Sequence, residues 1–127
     1  MSSHPLRVLV VDDERIIADT LTEIFRSQGF DCRAAYDGTA ALTAAMNFVP
    51  DVLITDIVMP GMDGWEVAER YASLLPACRV ILFSGHADPS ELEERADRMP
   101  QSCEVYPKPI SPQIFIERLQ MESRMQS

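Results

Sequence analysis

The chain has 127 residues, and 46% of them are hydrophobic, which suits one domain that buries a core without disulfides or metal. The formal net charge of −9 argues against binding to nucleic acid or to an anionic membrane surface, because both need clustered cations. No apolar run approaches the roughly 18–20 residues that span a bilayer, and residues 1–5 do not resemble a secretory signal. Three cysteines without metal-like spacing (Cys32, Cys78 and Cys103) indicate reduced thiols, so we expect a cytoplasmic protein.

Apolar runs alternate with amphipathic stretches along the whole chain. In chain order, the predicted elements are a strand at 6–11, a helix at 14–28, a strand at 30–35, a helix at 38–48, a strand at 51–55, a helix at 64–75, a strand at 79–83, a helix at 89–99, a strand at 103–106 and a helix from 111 to about 122. This alternation with short connections implies a parallel sheet with helices on both faces. The first, third and fourth runs are almost continuously apolar and suit central strands, whereas the fifth suits an edge.

No linker, repeat or low-complexity tract divides the chain. We therefore predict a single domain over residues 1–127, with a core at about 6–122 and a frayed end from 123. We expect no separate output domain within these residues.

Polar side chains follow four of the five predicted strands at the point where each strand ends. They are Asp12, Asp13, Asp56, Ser84 and Lys108. The carboxyl ends of parallel strands meet at one edge of the sheet, which is where the functional crevice of such folds lies. Taken singly, each residue has a simpler explanation as a helix cap, a turn residue or a surface lysine. Their recurrence at one edge predicts a site.

The charges of these residues narrow the chemistry. Two carboxylates about 4 Å apart repel by ~1 kcal/mol in water and by ~4 kcal/mol at a partly shielded site. Carboxylates with water favour Mg²⁺, whereas zinc prefers His or Cys, and His4 and His86 are the only histidines. Mg²⁺, the Lys108 ammonium and the Ser84 hydroxyl would together bind the oxygens of a phosphoryl group in transfer. Asp56 is the best candidate for the nucleophile, because carboxylates form aspartyl-phosphates.

Four motifs carry a resemblance to a known family. They are Val11-Asp12-Asp13-Glu14, the segment 56–64 (DIVMPGMDG), Phe83-Ser84-Gly85 and Lys108-Pro109. In order and spacing the chain resembles, over almost its whole length, a response-regulator receiver domain of two-component signalling. The resemblance implies a flavodoxin-like, doubly wound α/β fold, with a five-stranded parallel sheet in the order 2-1-3-4-5 and five helices.

The resemblance also implies a role for each site residue. Asp56 would accept a phosphoryl group from a phosphohistidine on a histidine kinase or a histidine phosphotransfer protein. Asp13, Asp56 and the backbone carbonyl of Val58 would coordinate Mg²⁺, and Asp12 would act largely through a metal-bound water. Ser84 would hydrogen-bond the phosphoryl oxygens and Lys108 would pair with them. The Lys108-Pro109 peptide bond would be cis, an uncommon isomer even before proline.

The chain departs from the family pattern near the predicted fifth strand. Family members often carry an aromatic residue three positions before the lysine, where it reports phosphorylation. That position is Val105 here, and strand alternation predicts that the next residue, Tyr106, points to the opposite face. Val58 and His86 lie near the pocket in the family pattern and could tune the lifetime of the phosphoryl group.

Three other functions are weighed against the receiver hypothesis. An aspartyl-phosphate phosphohydrolase would need a second Asp at position 58, which is Val. A flavin or nucleotide module would need a phosphate-binding first turn, where this chain is acidic. A pseudo-receiver would bind partners without phosphorylation. We therefore expect a signalling module, with no turnover of an external substrate, that acts on an unknown downstream protein. The family resemblance implies that it does so through the surface of the fourth helix, fifth strand and fifth helix.

Overall fold

A computed structural model describes residues 5–85, 88–101, 103–108 and 111–126, with the side chains of 89 and 122–126 outside the description. The described residues form five strands that alternate with five helices. The strands are β1 (Arg7–Val11), β2 (Asp31–Ala35), β3 (Val52–Asp56), β4 (Arg79–Ser84) and β5 (Cys103–Pro107). The helices are α1 (Arg15–Ser27), α2 (Gly38–Asn47), α3 (Gly64–Leu74), α4 (Pro89–Asp97) and α5 (Pro112–Gln126). Among the described residues, none of the helices combines the length and apolarity needed to cross a lipid bilayer.

The strands form one parallel sheet in the order β2-β1-β3-β4-β5. This order and the edge position of β5 confirm the predicted fold. Helix α5 continues to Gln126, beyond the predicted end of the last helix at about residue 122, whereas the frayed end from residue 123 stays a prediction. Neither Gly nor Pro occurs between Gln113 and Gln126, and most of these residues favour helix.

Alternating strand residues divide the core into two layers, one on each face of the sheet. The layer under α2, α3 and α4 includes the strand residues Leu9, Val11, Leu53, Val80 and Leu82. The layer under α1 and α5 includes Val8, Val10, Val52, Ile54, Ile81 and Phe83. Because hydrophobic side chains cover β1, β3 and β4 on both faces, the polar residues that end these strands occupy the one edge where the core stops.

Buried aromatic and thiol side chains belong to this core. Trp65 and Tyr71 of α3 pack against the sheet, as predicted, and the Tyr71 hydroxyl donates a hydrogen bond of 2.6 Å to the Ala41 carbonyl of α2. The three cysteines are free. Burial raises the pKa of Cys32 to about 11 and that of Cys78 to about 12. Both thiols therefore stay protonated at neutral pH and serve as small apolar residues.

Candidate functional site

The ends of β1, β3, β4 and β5 deliver the predicted site residues to one edge of the sheet. Asp12 directly follows β1, and its backbone N–H donates to the Ala35 carbonyl of β2 at 3.2 Å. Asp56 is the last residue of β3 and is aligned with Phe83 of β4. Ser84 ends β4 and is 4% exposed, and the following strand ends directly before Lys108. Parallel register therefore brings residues distant in sequence to one place.

Three carboxylates form a cluster at this edge. One oxygen from each of Asp12, Asp13 and Asp56 lies within 4.8 Å of the other two. Asp12 is fully buried, Asp56 is 7% exposed and Asp13 is exposed, so solvent reaches the cluster from the Asp13 side. This is the only such group of acidic, histidine or cysteine ligands among the described residues.

Asp12 is the member of this cluster whose hydrogen bonding is incomplete. Its Oδ1 accepts a hydrogen bond of 2.9 Å from the Glu14 backbone N–H. Its Oδ2 is buried and has no hydrogen-bond partner among the described residues. Burial raises the pKa of Asp12, although the Glu14 hydrogen bond and the charge of Lys108 oppose the shift. A buried carboxylate oxygen that no hydrogen bond satisfies is suited to bind a cation, and the nearest cation to it is the Lys108 ammonium at 3.6 Å.

Lys108, the residue after β5, supplies positive charge to the cluster. Its Nζ lies 3.2 Å from Asp56 Oδ2 and 3.6 Å from Asp12 Oδ2. Burial works to lower the pKa of Lys108, but the hydrogen bond and charge of Asp56, together with Asp12, outweigh it and raise the pKa. The group is therefore an ammonium at neutral pH. The formal charges of one ammonium and three carboxylates sum to −2, which a divalent cation would balance.

The Lys108 side chain is placed by the backbone around it. Its N–H donates a hydrogen bond of 2.8 Å to the Ser84 carbonyl, which ties the end of β5 to the end of β4. Its stem passes over Gly85, where an added Cβ would lie 3.7 Å from Lys108 Cδ. The predicted contribution of Pro109, the cis bond before it and the predicted role of His86 lie outside the described residues, as does His4.

The loop between β3 and α3 is fixed at both ends. The Ile57 N–H donates to the Phe83 carbonyl at 2.9 Å, and the Gly64 N–H donates to the Ile57 carbonyl at 2.8 Å. A Cβ at Gly64 would lie 2.3 Å from the Asp56 carbonyl oxygen, so only glycine lets α3 begin this close to the phosphoacceptor candidate. Val58, the predicted carbonyl ligand, lies in this loop with 64% of its surface exposed.

Val105 and Tyr106 lie on opposite faces of β5, as strand alternation predicts. Val105 packs against the core layer of α2, α3 and α4. Tyr106 packs edge-on against Phe115 of α5, with ring centroids 4.7 Å apart. Its hydroxyl donates to Glu104 at 3.1 Å and accepts a hydrogen bond from Arg118 of α5. The Tyr106–Arg118 contact was not predicted, because the two residues lie in different elements and no local pattern links them.

The fold and this edge define an α/β domain whose acidic, lysine-containing site lies at the carboxyl end of a parallel sheet. The family model described as "Response regulator receiver domain" matches residues 8–120. The chain therefore belongs to the response-regulator receiver domain family of two-component systems.

Relatives and solved structures agree with this assignment. The "DNA-binding response regulator MtrA" of Mycobacterium tuberculosis is 33% identical over 130 residues, which cover 98% of this chain and 53% of that protein. The chain thus spans about half the length of this curated relative. A CheY-like receiver domain from Methanospirillum hungatei superposes with a TM-score of 0.84 over 96% of both chains at 24% identity. The receiver domain of the Francisella response regulator 1452 gives 0.82 over 96% of this chain and 99% of that one at 26% identity.

Proposed function

We propose that Asp56 accepts a phosphoryl group from a phosphohistidine and that the modified domain signals through a changed protein surface. One observation carries the proposal: the Asp56 carboxylate ends a central strand, pairs with the Lys108 ammonium at 3.2 Å and lies within 4.8 Å of two further carboxylates. A lone nucleophile beside a fixed cation and a candidate cation site is suited to phosphoryl transfer.

Each residue has a defined part in the proposed transfer. An Asp56 carboxylate oxygen forms a bond to phosphorus while the phosphorus–nitrogen bond of the phosphohistidine breaks, and the bonding electron pair stays on the imidazole nitrogen. Lys108 turns its ammonium from the carboxylates to the phosphoryl oxygens, and the Ser84 hydroxyl donates a hydrogen bond to them. The phosphoryl group stays on the chain until water hydrolyses the acyl phosphate. The protein therefore acts as a signalling module and does not turn over an external substrate.

The acidic cluster suits Mg²⁺ in this function. Hard carboxylate oxygens are its preferred protein ligands, and the buried Asp12 Oδ2 is available to it or to one of its waters. We propose that Asp13, Asp56 and the Val58 carbonyl hold the ion and that Asp12 acts through a bound water. When bound, Mg²⁺ would supply charge that offsets the negative phosphoryl oxygens.

An apolar groove beside the site supports a protein as the phosphoryl donor. The groove has a volume of about 340 Å³ and runs along α1 to Lys108. It is lined by Ile16, Ile17, Thr20, Leu21, Ile24, Phe83, Lys108 and Pro112. Ile16 is 82% exposed and borders this apolar lining, and a contiguous apolar patch at the surface marks a protein contact surface. We propose that a histidine kinase or histidine phosphotransfer protein of the cytoplasm docks here, and that a second, downstream protein reads the result.

Labelling with acetyl phosphate tests the proposal. With Mg²⁺, intact-mass analysis should find one added phosphoryl group that survives acid and is lost in base. Asp56→Asn should abolish the adduct. Asp63→Asn is the matched control: Asp63 caps α3 by accepting from the Glu66 N–H at 2.9 Å, and Asn caps equally well, so this variant should label normally. Undiminished labelling of Asp56→Asn, or none of the wild type, would refute the assignment.

A further inference from the structure

Gly38, the first residue of α2, is buried against the loop that joins β3 to α3. A Cβ at this position would lie 2.7 Å from Met62 Cβ and 3.0 Å from Met62 Cγ and Sδ. The atom that crowds it is the first atom of the methionine side chain, which cannot move without its backbone. The missing side chain of Gly38 is therefore the space in which Met62 sits.

Met62 belongs to the same loop as Val58, the proposed carbonyl ligand. The loop is fixed at Ile57 and Gly64 by backbone hydrogen bonds, and Met59 is buried in the core between them. Met62 adds an attachment on the far half of the loop, and this attachment is made to α2. The position of the β3–α3 loop relative to the sheet therefore depends on α2, a helix that carries none of the proposed ligands.

The position of α2 is itself fixed relative to α3. The Tyr71 hydroxyl, fully buried in α3, bonds the Ala41 carbonyl of α2 at 2.6 Å. Asp37 caps α2 by accepting from the Ala40 N–H at 2.7 Å. An added Cβ at Gly38 would consequently have to displace Met62, since the start of the helix is held by these contacts.

We propose that Gly38 is a positioning residue for the metal-assisted phosphoryl transfer, because it seats Met62 and so holds the β3–α3 loop at the height that metal binding requires. To reach ordinary contact at 3.4 Å, Met62 Cβ would have to retreat by about 0.7 Å. Ligand sets need to stay within roughly 0.5 Å of the productive geometry, and Mg²⁺ tolerates little departure from an octahedron. This inference rests on the proposed function.

The variant Gly38→Ala tests the inference in the full chain. Binding of Mg²⁺ alone is measured by calorimetry and by the fluorescence of Trp65, the only tryptophan. We expect the Mg²⁺ dissociation constant to rise roughly tenfold, as it does when outer-shell partners are lost. Acetyl-phosphate labelling should weaken at low Mg²⁺ and recover when Mg²⁺ is saturating, since Gly38 contacts none of the reacting groups.

A matched glycine and a rescue variant separate positioning from general stability. Gly29 has a φ of +93°, and a Cβ added there would meet nothing within 4 Å, so Gly29→Ala strains the backbone away from the site without a clash. It should lower the free energy of unfolding and leave Mg²⁺ affinity unchanged. Adding Met62→Gly to Gly38→Ala removes the crowded Cβ and should restore part of the affinity. If Gly38→Ala does not fold, Met62→Ala, which removes Cγ and Sδ, should weaken Mg²⁺ binding by a smaller factor.

The possible results distinguish the inference from the proposed function. Wild-type Mg²⁺ affinity in Gly38→Ala or Met62→Ala overturns the inference alone. An equal loss of Mg²⁺ affinity in Gly29→Ala also overturns it, because the loss would then result from lower fold stability and not from the position of the loop. A wild-type chain that neither binds Mg²⁺ nor labels overturns the proposed function and the inference with it.

Discussion

Asp12→Asn should make the metal-free protein more stable, although it removes a proposed functional residue. The carboxylate oxygens of Asp12 and Asp56 lie within 4.8 Å of each other, so their charges repel by at least about 3.5 kcal/mol at an effective dielectric of ~20. Lys108, at 3.6 Å, attracts Asp12 by about 4.6 kcal/mol on the same scale. Asp13 also lies within 4.8 Å and adds to the repulsion, so the attraction of Lys108 is at least offset. What remains is the cost of burying a charged oxygen without a hydrogen-bond donor.

That cost sets the size of the expected effect. An unsatisfied buried acceptor costs about 1–3 kcal/mol, and more when charged. Asn keeps an oxygen to accept from the Glu14 N–H and removes the charge. We therefore expect the free energy of unfolding in EDTA to rise by about 1–3 kcal/mol in Asp12→Asn, measured by urea denaturation. The control Asp63→Asn exchanges one N-cap for another and should stay within about 0.5 kcal/mol of wild type.

The pH dependence follows from the raised pKa of Asp12. Below about pH 3.8, its ordinary value, this carboxyl is protonated in the folded and unfolded chain and costs nothing. As pH rises to and through the higher pKa of the folded state, the stability contributed by the protonated form is lost. The advantage of Asp12→Asn should accordingly be small near pH 3.8 and largest above the folded-state pKa.

Magnesium should narrow the stability difference between Asp12→Asn and the wild type. A ligand at a hundred times its dissociation constant stabilises the folded state by about 2.7 kcal/mol, and Asp12→Asn should lose part of that gain. Two results would refute this account of the cluster: a loss of stability in EDTA, or a Mg²⁺ response equal to that of the wild type.

Three further changes probe the fold around the site. Val49 has a φ of 54°, so Val49→Asn should raise the free energy of unfolding by about 1 kcal/mol; an unchanged urea midpoint would contradict this. Tyr106→Phe removes the hydroxyl that Arg118 binds, which should cost about 1 kcal/mol in the same assay without altering phosphorylation. Gly64→Ala puts a Cβ 2.3 Å from the Asp56 carbonyl oxygen, so a cost of at least ~2 kcal/mol and reduced acetyl-phosphate labelling are expected.

The strand boundaries show what the hydrophobic pattern can predict. The pattern predicted both ends of all five strands to within one residue, because apolar runs in a parallel sheet are continuous. It ended β3 and β4 before Asp56 and Ser84, which are polar but still paired in the ladder. It also began β3 at Asp51, whose carboxylate instead accepts the Arg7 N–H at 2.9 Å. The apolar run therefore marks the buried part of a strand, and in β3 and β4 the backbone pairing continues one residue beyond the end of that run.

The detailed arrangement of the site was harder to predict from the sequence. Topology explains why the ends of the strands converge, so the gathering of Asp12, Asp13, Asp56 and Lys108 followed from their register. The complete burial of Asp12, and the oxygen it leaves without a donor, depend on how closely the neighbouring elements pack. Met62 packs against Gly38 because glycine has no Cβ there. This contact links the β3–α3 loop to α2, and no sequence spacing predicts it.

The two sides of β5 bear on how phosphorylation would be read. Tyr106 is held on the α5 side by Phe115, Glu104 and Arg118, so turning it toward the α4 side would break all three contacts. On the α4 side, Val105 has no hydroxyl that could hydrogen-bond Ser84. A cleft of about 460 Å³ lies there instead, lined by Ile57, Val58, Trp65, Ser84, Glu91, Leu92, Glu94, Arg95 and Arg98. Ser84 and Val58 of the proposed site thus line one cleft together with residues of α4.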